Sequence, residues 1–425
     1  MQKRSSTRRR ISFLAVIGPG ILIAATGVGA GDLLTASLAG SRHGLALLWA
    51  AWVGAQLKWF LNEGIARWQM TTGTTVLEGW IDRLGRWIRW VFLAYLLVWT
   101  VFTSGALMNA CGVAGTGLLP LGENLRTSKI VWGAAHSIVG LVLVRIGGFR
   151  LFERMMSVCI GLMFVTVVAT AVLIRPDWGA VGRALVTPRI PEGGLGYLLG
   201  VLGGVGGTVT LLSYGYWARE IGRKGAAGLR ACRIDLAVGY AMTALFGMAM
   251  IVIGSRLALE RGPTVALELA GQLEGALGPA GRWVFLAGFW GAVFSSLLGV
   301  WQSIPYLFAD FYLLSRGSAA RGSEGIDFTR TTAYRTYLVF IAVVPLPLLW
   351  MSLERAQLSY AVLASLFMPL LALTLLMMNT RRRWVGAGFT NGWLPNLALS
   401  MTMLFFGYVA ARKIIDSVRS LAPGL

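Results

Sequence analysis

Two runs of small residues carry the chemistry this sequence is capable of. The first reads Thr26-Gly27-Val28-Gly29-Ala30-Gly31-Asp32 and the second Gly203-Gly204-Val205-Gly206-Gly207-Thr208. Glycine costs about 1 kcal/mol relative to alanine inside a helix. Close helix packing alone would space small residues on one face, whereas these glycines cover every face, so the runs predict interrupted helices. An interruption frees carbonyls and N–H groups and exposes the charged ends of two half-helix dipoles. Such a place can hold an ion or a small polar solute. The first run ends in a carboxylate, Asp32, and the next apolar stretch carries two further ionisable residues, Lys58 and Glu63.

These runs matter because of the elements that contain them. Hydrophobic residues make up 56% of the 425 and charged residues only 13%, against about 25% charged in a soluble domain. The mean hydropathy is +0.68. Apolar stretches of about 20 residues recur, each long enough to cross about 30 Å of hydrocarbon. The fold class expected is an all-α integral membrane protein. Eleven spans are read, at 12–40, 44–70, 87–112, 129–145, 152–174, 195–217, 232–256, 281–313, 332–352, 357–379 and 393–415. The apolar run after the basic segment 1–11 continues too far for a cleaved signal peptide and is kept as a span. The net charge of +20 suggests nucleic acid at first. The basic residues sit between apolar runs, however, and form no patch interleaved with aromatics, so no nucleic-acid partner is expected. The lipid bilayer is the partner.

Lys and Arg concentrate on alternate connections: Lys3 to Arg10, Arg83 to Arg89, Arg145 to Arg154, Arg219 to Arg233, Arg316 to Arg335, and Arg381 to Arg383. This bias places the N-terminus in the cytoplasm and, with eleven spans, the C-terminus outside. The setting expected is the cell (inner) membrane. One interruption falls in span one and the other in span six. Five spans apart, they cross in opposite senses, as a five-plus-five inverted repeat requires. The first repeat is read as 12–174, the second as 195–379, with an added helix at 393–415. Both breaks then meet near the midplane, where unsatisfied backbone must line a protein-enclosed cavity.

Short motifs recur along spans one to ten: Gly18-Pro19-Gly20, Ala66-Arg67-Trp68-Gln69-Met70-Thr71-Thr72-Gly73 with Leu77-Glu78, Ser295-Ser296-Leu297-Leu298-Gly299, Val362 to Pro369, and Asn379-Thr380-Arg381-Arg382. In their order and spacing they resemble the Nramp family of proton-coupled divalent metal carriers. The resemblance implies the amino-acid–polyamine–organocation (LeuT-like) fold with helices one and six broken, and transport by alternating access. At its centre the sequence departs from the family. The Asp-Pro-Gly-Asn signature of span one falls on Gly29, Ala30, Gly31 and Asp32, and the Met-Pro-His signature of span six falls on Gly207, Thr208 and Val209. A glutamine of span ten falls on Phe367, and a second histidine of span six falls on Tyr214.

The substrate-contacting candidates are therefore Thr26, Val28, Gly29 and Asp32 from the first break, and Gly207, Thr208, Thr210 and Tyr214 from the sixth span. Asp32 is a metal oxygen donor or a helix N-cap, two compatible roles. Small residues at Gly29 and Gly207 would leave room for the waters a hard cation retains. The hydroxyls line the site or bond back to their own helix. Lys58 and Glu63 are a coupling pair or structural ions, with Arg67 four residues after Glu63 as a local partner. Asn109 and Asp235 are expected to bond between helices, His43 and His136 to be structural, and Cys111, Cys159 and Cys232 to be buried thiols. No nucleophile motif, phosphate loop or metal-spaced His/Cys cluster is present, so neither an enzyme nor a cofactor is expected. The expected function is a secondary carrier of a small solute, with Mg²⁺ or Mn²⁺ as the cargo. The alternatives are a carrier of a small organic solute such as an amino acid or amine, and a membrane sensor that has lost transport.

Overall fold

The computed structural model describes residues 18–421, apart from 86, 205–206, 258–264 and 316–326. The first apolar run forms two helices, α1 (Gly18–Gly27) and α2 (Ala30–His43), with Val28 and Gly29 between them. Then follow α3 (Leu48–Thr72), the short α4 (Val76–Leu84), α5 (Trp87–Leu118), α6 (Leu125–Leu173) and the short α7 (Trp178–Val186). The second glycine run separates α8 (Leu195–Gly204) from a 3-10 turn at Val209–Leu212 and α9 (Ser213–Glu220). The remainder comprises α10 (Gly225–Gly254), α11 (Val265–Leu277), α12 (Pro279–Ser315), α13 (Thr332–Val343), α14 (Leu353–Asn379), the one-turn α15 (Arg382–Val385) and α16 (Trp393–Leu421).

Among the described residues, 7 helical segments are long and apolar enough to cross a membrane. The broken pairs fall outside that number because each half is short. Helix α3 carries Lys58, Glu63 and Arg67 and is too charged to qualify by composition, although these three side chains are buried. The sequence did not reveal α4, α7 and α11, which lie between spans. Helix α4 begins with a capping box, in which the Thr75 hydroxyl accepts the Glu78 N–H and the Glu78 carboxylate accepts the Thr75 N–H.

Helix α6, 49 residues long, corresponds to spans four and five. A straight helix would place His136 and Cys159 roughly 35 Å apart. Yet Trp290 Nε1 donates to His136 Nε2 at 2.9 Å, while the adjacent Gly291 of α12 packs against the Cys159 backbone. Farther along the first leg, Gly140 meets Leu297 and Trp301; farther along the second, Thr166 meets Gly288. One leg of α6 thus runs up α12 and the other runs down it. The chain reverses between Gly147 and Leu151, the bounds of its two apolar segments.

Glycines set the closest crossings. A Cβ on Gly40 would strike the Ile251 carbonyl, and one on Gly254 the Ser37 carbonyl, so α2 and α10 touch backbone to backbone. Midway along α10, Gly239 meets the Gly20 carbonyl of α1. Both halves of the first broken helix therefore lie along α10. His136 also donates from Nδ1 to the Trp132 carbonyl, leaving both ring nitrogens occupied in a structural role. The three cysteines are buried and unpaired.

Gly254→Val should lower the thermal midpoint in detergent, by about 1–3 kcal/mol of overpacking. Gly271→Ala in α11, where no atom lies within 4 Å of the added carbon, should leave the midpoint equal or higher.

Candidate functional site

The two interruptions meet. Gly207 has φ +80°, a left-handed value, and the position of its missing Cβ is 3.5 Å from Gly27 Cα. Val28, Gly207, Thr208 and Thr210 are buried and Gly29 is half-buried, so the junction is enclosed by protein. The free carbonyl of Val28 accepts a 2.8 Å hydrogen bond from Ser296 Oγ of α12. Next to it, the Thr26 and Thr208 hydroxyls are buried without a hydrogen-bond partner. An unmatched buried hydroxyl costs about 1–3 kcal/mol, a cost that a bound polar partner would remove.

At Gly207 the missing Cβ position lies 2.6 Å from Thr210 Oγ1 and at Gly31 3.0 Å from Gln357 Oε1, so side-chain oxygens crowd these glycines; at Gly29 it lies 3.4 Å from Ser296 Oγ, an ordinary contact. At Gly299 of α12 the space is taken by Thr26 Oγ1. The junction therefore offers carbonyl, hydroxyl and amide oxygens.

The other candidates are distributed as follows. Asp32 falls in the first turn of α2, and its side chain lies outside the described residues, as do Val205 and Gly206 of the second run. Lys58 is fully buried and engaged in an interaction. It stands one turn after Gly54, which packs on Leu202 of α8, so it lies on the face of α3 that meets the second broken helix. Tyr214 is drawn away from the junction into an ionic clasp. Its hydroxyl donates to Asp235 Oδ2 at 2.9 Å and to the Cys232 carbonyl at 3.2 Å. Arg223 Nη1 binds the same Asp235 oxygen at 2.7 Å, and Oδ1 accepts the Gly20 N–H at 2.8 Å. Asp235 thus fastens the start of α1 to α9 and α10. Glu63 also belongs to a network of ions. Arg67 binds both of its oxygens at 2.7 and 2.8 Å, and Arg233 of α10 binds Oε1. Arg67 further donates to the Thr390 carbonyl. Asn109 bonds between helices as expected, donating to the Leu348 carbonyl and accepting from Lys129 Nζ.

A family profile described as Natural resistance-associated macrophage protein-like (Nramp) matches residues 20–416. The chain belongs to the Nramp family. It is accordingly a multi-pass membrane transporter and not an enzyme. Among relatives of the Nramp chain, the divalent metal cation transporter MntH of Verminephrobacter eiseniae (strain EF01-2) is 26% identical over 370 residues, 80% of this chain and 82% of its own. The MntH of Acidiphilium cryptum (strain JF-5) is 23% identical over 411 residues, 93% of this chain and 89% of its own. A solved variant of the Eremococcus coleocola manganese transporter superposes with a TM-score of 0.75 at 17% identity, covering 99% of this chain and 90% of that one. This last likeness concerns the fold.

Reading the sequence alone missed Ser296, Gln357, Arg223 and Asp310. Ser296 lay inside a motif noted only for its resemblance. Arg223 and Asp235, twelve residues apart, share no helical register that would pair them. Asp310 is an acid within an apolar run, a signal of the same kind as Asp32.

Arg223→Ala leaves the buried Asp235 carboxylate without its cation and should destabilise by about 3–5 kcal/mol. The double variant Arg223→Ala with Asp235→Asn should recover much of that loss. Thermal unfolding of the three proteins in one detergent would measure both effects; equal midpoints for the single and double variants would refute a charge clasp.

Proposed function

We propose that this Nramp protein carries a hard or partly hydrated divalent cation, Mg²⁺ or Mn²⁺, across the cell membrane by alternating access. The observation that carries the reading is the enclosed junction of two broken helices with the unmatched hydroxyls of Thr26 and Thr208. The described donors there are all oxygen: the Val28 carbonyl and the side chains of Thr26, Thr208, Thr210, Ser296 and Gln357. Oxygen donors suit hard cations, and Mg²⁺ keeps several waters when bound. Asp32, at the start of α2, is the proposed carboxylate ligand. The divalent metal transporters among the relatives support the cargo class.

The same proposal reads the helices as eleven crossings, with α1–α2 and α8–α9 each counting as one and α6 as two. Crossings one to five and six to ten form the inverted repeat, and α16 is the added helix. The basic connections face the cytoplasm, placing the N-terminus inside and the C-terminus outside.

One observation favours a second reading, a small organic solute bearing a carboxylate. Lys58 is fully buried on the face of α3 that meets α8. An ammonium there opposes a divalent ion and attracts an anion. Among the described residues, no group of three His, Cys, Asp or Glu side chains could hold a metal.

Uptake by proteoliposomes separates the two. The metal reading expects saturable Mn²⁺ or Mg²⁺ uptake that Asp32→Ala abolishes and that Thr208→Val lowers by roughly tenfold, the value of one lost donor. Absence of metal uptake, together with Lys58-dependent uptake of an amino acid, would overturn it in favour of the organic solute.

A further inference from the structure

Away from the junction, at the end of the bundle where α4 and α9 meet the last turns of α12, lies an acid that no part of the cargo site uses. Asp310 is 1% exposed. Its Oδ2 accepts the Tyr216 hydroxyl of α9 at 2.7 Å and the Thr75 hydroxyl at the cap of α4 at 3.3 Å. Its Oδ1 has no hydrogen-bond partner, and among the described residues Asp310 forms no ion pair. Asp310 therefore ties three elements through one oxygen and leaves the other bare.

The charges around it come from every neighbouring element. Glu78 of α4 shares Thr75 with it, the Thr75 hydroxyl donating to Asp310 and accepting the Glu78 N–H. Arg219 of α9 lies over the Tyr216 and Phe328 rings, 5.5 and 5.9 Å from their centroids. Exposed Glu220 accepts the hydroxyl of Tyr306, one turn before Asp310 on α12. Arg89 of α5 is directed to the Ser315 carbonyl. A narrow crevice on this side is lined by Tyr216, Glu220, Ser303 and Tyr306.

We propose that Asp310 is a proton-binding site whose loading releases α9, the half-helix that follows the second break. A buried carboxylate with no ion pair among the described residues is costly, and taking a proton at the bare Oδ1 lowers that cost. The proton comes from the solution bathing this end of the protein, and the product is a neutral carboxylic acid. Hydrogen bonds to an ionised acceptor are roughly twice as strong as those between neutral groups. Protonation therefore weakens the grip of Asp310 on Tyr216 and Thr75. By linkage, a conformation in which Tyr216 has withdrawn holds the proton more tightly. Acidification on this side thus favours movement of α9, whatever the cargo.

The test uses the full chain in nanodiscs with no metal or substrate, so its outcome is independent of the cargo reading above. Infrared difference spectra between acid and alkaline pH should show a protonated-carboxyl band. That band should disappear in Asp310→Asn and persist in Glu78→Gln. In Tyr216→Phe, which keeps the ring but removes the donor to the carboxylate, the midpoint of the band should move to higher pH, an increase in proton affinity of about tenfold. A band that survives in Asp310→Asn, or a midpoint unmoved in Tyr216→Phe, would overturn the proposal; the latter also decides the matter should Asp310→Asn not fold.

Discussion

A carbonyl released from a helix in the middle of a bilayer has no water to turn to, and most of this structure answers that constraint. Breaking α1 from α2 and α8 from α9 leaves backbone groups that lipid cannot satisfy. The breaks persist only because protein surrounds them. Ser296 supplies the donor for Val28, Gly207 lies against Gly27, and α10 runs beside both halves of the first broken helix. The contacts of α10 with α1 and α2 rely on glycines that admit a carbonyl where any side chain would collide. The glycines that weaken the broken helices and those that seal their surroundings serve one end: oxygen atoms exposed to each other and not to lipid.

The ionic networks follow a related logic. Desolvating a charge costs several kcal/mol, which is recovered only with good geometry and full hydrogen bonding. Asp235 meets that condition with Arg223, Tyr214 and the Gly20 N–H, and Glu63 meets it with Arg67 and Arg233. Both clusters join different helices. Each therefore fixes one relative position of the elements it connects, and a change of position exposes unpaired charge. That is a steep penalty for small displacements and a natural way to hold α1 and α9 in place until something offsets it.

The breaks were legible in the sequence because glycines clustered on all faces of an apolar run weaken a helix without building a packing face. The long spans were legible because hydrocarbon thickness sets their length. Helices α4, α7 and α11 were hidden because, at 9, 9 and 13 residues, they are too short to cross a bilayer. Their caps were nevertheless present, as Thr75 and Glu78 for α4 and Asp177 for α7 show. The site was harder to read. Tyr214 looked like a site residue by register with a family motif, but its hydroxyl reaches Asp235, a partner twenty-one residues away that only the packing of α9 on α10 brings near. Gln357 and Ser296 come from other helices altogether. Contacts of this kind depend on crossing angles and distances between helices, which no local spacing encodes.

The departures from the family signature then acquire a physical sense. By the resemblance, Gly29 and Gly207 stand where the family has an acid and a thioether, and Asp32 stands where it has an asparagine. Had nothing moved in, the result would be a hole at the junction. Instead Ser296, Thr210 and Gln357 bring oxygens to Gly29, Gly207 and Gly31, and Thr26 brings one to Gly299. The oxygens described at these glycines are uncharged, which leaves Asp32 as the one carboxylate proposed for the junction. Neutral oxygens alone repay too little of the hydration energy to strip a cation of all its water. The junction can hold an ion that keeps part of its shell, or a solute that presents its own polar groups. In both cases selectivity rests on the positions of hydroxyls and carbonyls, which the surrounding backbone contacts keep in place.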